Sequence, residues 1–169
     1  MEVIISIQNC VTKALQRFQH LTPKRAQYAI HQWTRPNYGA TKQLETPLDT
    51  SPPIPEERKR RTEQIIGIFL YYYRAVECTM ILALNTLVDQ QSNTTKDNET
   101  AITQFLDYAD TNPSAIIQYK SSNMILHNDS DASYPSEPRA HSPTEGHYYL
   151  SSLPTDPKNI QTSRHQQMA

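Results

Sequence analysis

Two acidic residues, Asp129 and Asp131, have the type and spacing that point most directly to chemistry. They follow an apolar strand signal at residues 124–126, and a second strand-like run comes shortly afterwards at residues 147–150. Carboxylates at the mouth of a strand are ligands with which hydrolases hold a hard divalent cation. Asp131, and more weakly Asp129, are therefore candidate metal ligands. The alternative is a pair of solvated turn acids, because a hard cation takes roughly six oxygen ligands and water would supply most of them here.

The sequence offers no other catalytic arrangement. Two-metal hydrolysis draws several carboxylates from distant elements to hold cations about 3.5–4 Å apart, and Asp131 alone does not provide them. The six histidines show no paired metal spacing, although His127 and His147 could face each other across a hairpin. Cys10 and Cys78 lie far apart in apolar helical patterns, so we expect buried thiols in a reducing compartment.

A basic run, made of Arg58, Lys59, Arg60 and Arg61, is the candidate for nucleic-acid contact. The net charge of −1 excludes a generally basic surface, so any such contact would be local. The alternative is a solvated first helical turn, because three neighbouring glutamates nearly cancel the charge of the run.

The composition predicts an interrupted structure. Apolar residues make up 37% of the 169 residues, below the roughly 45–50% of globular domains, and there are 12 prolines against 3 glycines. We predict an α+β chain: a small helical bundle followed by a β-hairpin or short incomplete sheet, with long irregular connectors. The predicted boundaries are a helix-containing segment 1–20, an irregular linker 21–55, helices in 56–112, strands in 113–152 and a disordered tail 153–169.

Apolar residues recur at helical spacing in four segments. These are Cys10, Val11, Ala14, Leu15 and Phe18; then Ile65, Ile66, Phe69, Leu70 and Tyr73; then Met80, Ile81, Leu84, Leu87 and Val88; and finally Ile102, Phe105, Leu106 and Ala109. The second helix should begin at Pro55 and is apolar almost all round in its second half. We therefore expect Ile65, Phe69, Leu70 and Tyr73 to be partly exposed in the chain alone and to support self-association or loose packing.

Short apolar runs that lack the helical spacing follow the predicted helices. Residues 115–119 and 124–127 are separated by four polar residues, which predicts a β-hairpin between them. A third strand is predicted at residues 147–150.

Several of these segments, in order, resemble one family. The strings are residues 14–18, 38–40, 63–67, 70–72, 74–76, 106–108, 124–127 and 130–134, the last reading Ser-Asp-Ala-Ser-Tyr. Together they resemble the region of copia-like retrotransposon Pol polyproteins between reverse transcriptase and ribonuclease H. The resemblance covers roughly residues 10–152.

The resemblance implies the end of the polymerase thumb in residues 1–20, the helical connection in 56–112 and the first ribonuclease H strands in 113–152. Asp131 would then be a vestigial catalytic residue and ligand of the Mg²⁺ that the parent enzymes use, and the partner of the parent would be an RNA–DNA hybrid. The sequence contains no Tyr-x-Asp-Asp string. Asp129 and Glu145 depart from the family pattern, where a neutral residue or histidine and a turn glycine are expected.

The first hypothesis is therefore a truncated, retroelement-derived fragment that is inactive alone, with no cofactor of its own. The alternative is a small helical module that binds a partner helix through residues 65–73 and has no enzymatic activity. The sequence shows neither a signal peptide nor a transmembrane run, and we expect an intracellular location, cytoplasmic or nuclear.

Overall fold

The computed structural model describes residues 2–32, 49–132 and 144–152, with the backbone alone at 92, 129–132, 144–145 and 147. The order of elements in these residues is β1 (Glu2–Ser6), α1 (Cys10–Arg17), α2 (Glu56–Ala75), α3 (Ile81–Asp89), α4 (Lys96–Thr111), β2 (Ile116–Lys120), β3 (Ile125–Ala132) and β4 (Thr144–Ser151). This arrangement confirms the predicted α+β class, with helices followed by short strand pairs.

The chain divides into two compact units. The helical unit comprises, among the described residues, 4–32 and 49–118, and the other unit contains the β3–β4 hairpin. The prediction of helices in the four periodic segments is confirmed. Each of the four has apolar side chains in one common core.

The core of the helical unit is formed mainly by the predicted apolar stripes, with Tyr72 and Val76 in addition. Its largest fully buried side chains are Tyr72, Phe69, Phe105, Ile65, Ile66, Met80, Leu84, Leu106, Val11 and Val76. The ring of Phe69 packs edge-on against Phe105, with centroids 4.9 Å apart. The four helices bury these stripes largely against one another, and Ala115, Ile7, Ile30 and Ile117 add apolar surface from outside the helices.

Helix α2 begins as its sequence predicts. Pro55 is the N-cap with extended backbone, and Glu56 and Glu57 occupy the first turn, where carboxylates complement the positive end of the helix dipole. The expectation that Ile65 and Phe69 would be partly exposed is wrong, because α1, α3 and α4 supply enough apolar surface to bury both side chains. Leu70 and Tyr73 are half-buried.

Helix α4 begins with a capping box. The Thr95 hydroxyl accepts from the Asn98 backbone N–H, and the Asn98 side chain accepts from the Thr95 backbone N–H. The Asn98 side chain also donates to Gln90 Oε1 at 2.5 Å. Residues just before α2 are hydrogen-bonded to the start of α4. The Ile54 N–H donates to the Thr94 carbonyl oxygen and the Lys96 N–H donates to the Pro52 carbonyl oxygen, both at 3.1 Å. The end of the predicted linker is therefore tied to α4.

The strands differ from the prediction in their partners. β2 pairs with β1, which the sequence reading did not predict, and β3 pairs antiparallel with β4. The predicted hairpin between residues 115–119 and 124–127 is therefore wrong, although both runs are strands. Met124 has a φ of 58°, so the chain turns into β3 through a left-handed residue instead of a tight hairpin turn.

Candidate metal-binding hairpin and basic groove

The β3–β4 register determines which residues stand opposite the candidate metal ligands. Asp131 pairs with Glu145, and Asp129 pairs with His147, as Cα partners. Both aspartates therefore lie within a strand, not in a turn, which corrects the reading as turn acids. Glu145 likewise lies inside β4, where the family pattern would place a turn glycine.

The register brings the backbones of three acidic residues, Asp129, Asp131 and Glu145, to one end of the hairpin. Carboxylates are the ligands that Mg²⁺ takes. The residue types at this end are therefore those of a weak, largely hydrated Mg²⁺ site.

The predicted metal ligation concerns the side chains of Asp129 and Asp131, which lie outside the described part of the structure. Among the side chains that are described, no group of three or more His, Cys, Asp or Glu residues is placed to hold a metal ion. Ligation by Asp131 and Asp129 stays a prediction.

His127 has a different neighbour from the one predicted. Its Cα partner is Tyr149, not His147, and the two rings stack with centroids 5.1 Å apart and planes 10° from parallel. The pairing of His127 with His147 is therefore wrong by two residues in β4. The stack gives the hairpin an aromatic cross-strand pair, a contact that stabilises antiparallel strands.

The basic run on α2 mostly contacts the protein itself. Arg58 donates to both carboxylate oxygens of Glu99 on α4, at 3.1 and 3.2 Å. Arg61 donates to the Phe18 carbonyl oxygen at 2.7 Å, and its guanidinium lies 5.9 Å from the centre of the Phe18 ring. Arg60 is 3.8 Å from Glu56, one turn earlier. These contacts join α2 to α1 and α4.

A shallow groove of about 280 Å³ lies between the first turns of α2 and α4. Its charged lining is Arg58, Arg61, Lys96 and Glu99, with threonine hydroxyls at Thr100 and Thr103. Both threonine side chains donate to the carbonyl four residues earlier in α4. The groove therefore offers electrostatic attraction for an anion but no nucleophile and base in contact.

The sequence reading missed the polar partners that are distant in the chain. His20 Nε2 lies 2.8 Å from Asp107 Oδ1, joining the end of α1 to α4. The Tyr72 hydroxyl accepts from the Ala115 backbone N–H at 3.0 Å, and burial raises the pKa of this tyrosine. No local sequence signal marks these partners, because each pair is more than 40 residues apart in the chain.

The two thiols are less enclosed than predicted. Cys10 is half-buried and burial raises its pKa, while Cys78 is exposed, so the prediction of two buried thiols is wrong. Cys78 lies in a short 3₁₀ turn before α3, where the apolar pattern of the helix has not yet begun.

Comparison of the chain with protein-family models, with curated proteins and with solved structures finds no match. No helix among the described residues has both the length and the apolar character to cross a bilayer.

Proposed function

We propose that this chain is a retroelement-derived segment from the junction of reverse transcriptase and ribonuclease H, without catalytic activity of its own. The observation that carries the proposal is the β3–β4 hairpin, with Asp131 in its first strand, following a helical bundle in the order that the resembled family would require.

The absence of activity follows from the number of acids that the chemistry requires. A two-metal site needs carboxylates from several elements around two cations. The hairpin register supplies Asp129, Asp131 and Glu145 from two adjacent strands only. One hydrated cation is the most that such a set would hold, and we expect Mg²⁺ to bind no more tightly than about millimolar.

The experiment is an RNA–DNA hybrid cleavage assay on the purified 169-residue chain with Mg²⁺. The expected result is no cleavage by the chain and none by the matched variant Asp131→Asn. Cleavage that requires Mg²⁺ and disappears in Asp131→Asn would contradict the proposal. The retroelement origin has a separate test: flanking genomic DNA should encode the polymerase aspartates upstream or the remaining nuclease acids downstream.

Binding to nucleic acid is the weaker part of this proposal. Arg58 and Arg61 are already engaged with Glu99 and Phe18, so a phosphate would have to compete with these contacts. We therefore expect weak binding of an RNA–DNA hybrid, lost at moderate salt. We also propose an intracellular location, cytoplasmic or nuclear.

A helical interaction module is the second candidate function, and one observation favours it. Large apolar side chains remain exposed on the helices, Tyr71 on α2 and Leu82 on α3, outside the closed core. Of the surface predicted at residues 65–73, Ile65 and Phe69 are buried and Tyr71 is exposed, so the contact would depend on Tyr71 together with Leu82. If flanking DNA encodes neither set of missing acids, this candidate becomes the better one.

A further inference from the structure

Strand β1 is apolar and exposed along its whole length. Its sequence is Glu-Val-Ile-Ile-Ser, and all five residues are exposed. Val3 is 44% exposed, Ile4 59% and Ile5 42%, although alternate residues of a strand point to opposite faces. Within the described residues, both faces of β1 are therefore exposed.

β1 also has an edge available for pairing. In the described part of the chain, β2 is its one hydrogen-bonded neighbour, in a sheet of two strands. A strand with a single neighbour presents a row of N–H and C=O groups on its other edge, and proteins usually protect such edges with lysine, proline or inward charges. The only charge on β1 is Glu2, at its end.

We propose that β1 pairs antiparallel with β1 of a second copy of this chain, which joins the two-stranded sheets of both copies into one sheet of four strands. The strand is self-complementary in this arrangement. With Ile4 on the two-fold axis, Val3 stands opposite Ile5 of the other copy and Glu2 stands opposite Ser6. Parallel pairing in the same register would instead bring the two Glu2 carboxylates side by side, which is unfavourable.

The other strands are poorer candidates for the same contact. β2 ends in Lys120, and β3 contains two aspartates whose pairing with a second β3 would add like charges. The self-association predicted through α2 is less favourable, because Ile65 and Phe69 are buried in the core. The uncharged centre of β1 is therefore the surface best suited to a second copy.

The first experiment measures molar mass by light scattering over a wide concentration range. We expect the full chain to form dimers as concentration rises, and Ile4→Lys to be monomeric, because two lysines would meet at the two-fold axis. Leu126→Lys is the matched control, since Leu126 is 66% exposed in another strand. It should dimerise as the wild type does. Equal thermal melts of the two variants, at a concentration where all are monomeric, show that neither change disturbs the fold.

A disulfide trap tests the register independently, in a background with Cys10→Ala and Cys78→Ser. Residues directly opposite in an antiparallel pair have Cα atoms about 4.5–5.5 Å apart, within disulfide reach. Ile4→Cys should therefore cross-link to its own copy. Val3→Cys should not cross-link to its own copy. Residue 3 stands opposite residue 5 of the other copy, so the Cα atoms of the two residues 3 are more than about 7 Å apart.

Four results would each overturn the proposal. Three are a monomeric wild type at every concentration, dimers retained by Ile4→Lys, and equal cross-linking of Ile4→Cys and Val3→Cys. The fourth is loss of dimers in both lysine variants, because it would point to general apolar association.

Discussion

The substitution Phe69→Ala tests whether the helical unit is a folded core or a loose fragment. The Phe69 ring is 1% exposed. It packs edge-on against Phe105, with ring centres 4.9 Å apart, and against Tyr72, with ring centres 6.4 Å apart. The sequence alone predicted that this side chain would be partly exposed. A buried and a partly exposed Phe69 would lose different amounts of unfolding free energy on substitution by alanine.

Removing a buried phenylalanine costs about 3–5 kcal/mol, because the transfer term and the cavity term add. The free energy of unfolding of a typical domain is about 5–15 kcal/mol, so Phe69→Ala should lower it by about a fifth or more. The matched control is Tyr71→Ala, two residues later in the same helix and 65% exposed. Its cost should stay within about 0.5 kcal/mol, since alanine favours the helix and no cavity forms.

The assay is urea unfolding followed by far-UV circular dichroism, on monomeric protein, with hydrogen exchange as a second measurement. We expect a cooperative transition for the wild type, a large shift of the midpoint for Phe69→Ala and almost none for Tyr71→Ala. Equal midpoints for the two variants would refute the packing described here. A broad transition in the wild type, with little amide protection in α2 and α4, would instead support the loosely packed fragment expected from the sequence.

Two further predictions concern the backbone and the pH dependence. Met124 has a φ of 58° and an exposed side chain, so Met124→Gly should raise the free energy of unfolding, by up to about 1 kcal/mol, with Ser121→Gly as the control at an exposed residue without a positive φ. The hydroxyl of Ser51, and next that of Thr95, hold the pKa of Asp49 below its usual value. A lowered pKa stabilises the fold above the unfolded value of about 3.9 and loses that contribution as pH falls through the folded value. Acid unfolding should therefore be less steep in Asp49→Asn, and an unchanged profile would show that these hydrogen bonds do not form in solution.

The helices could be predicted from the sequence because their signals are local. The stripe of Ile102, Phe105 and Leu106 repeats at the helical period, and all three side chains are buried in α4. Pro55 with Glu56 likewise marks the start of α2 within one residue. Periodicity shows which side chains share a face of a helix, but not what packs against that face. Phe69 was therefore placed correctly on the apolar stripe of α2 but was wrongly expected to be partly exposed.

The strand partners could not be predicted, because pairing depends on contacts between distant residues. β1 and β2 are more than 100 residues apart in the chain, and no turn signal connects them. The contact of Arg58 with Glu99 is of the same kind, spanning 41 residues. A basic run therefore looked like a nucleic-acid surface in the sequence, while its partners are another helix and the Phe18 carbonyl.

The metal-ligand candidates and the best-packed residues belong to different compact units, and this separation limits what the chain can do. Asp129 and Asp131 lie in a two-stranded hairpin, an element that is at best marginally stable alone in water. The hairpin gains from the His127–Tyr149 stack. A weakly bound cation shifts a folding equilibrium only when its concentration exceeds its dissociation constant. On the proposal of one weak Mg²⁺ site, millimolar Mg²⁺ would therefore shift the folding of this hairpin only modestly, and it would not supply the second cation and further carboxylates that strand cleavage requires.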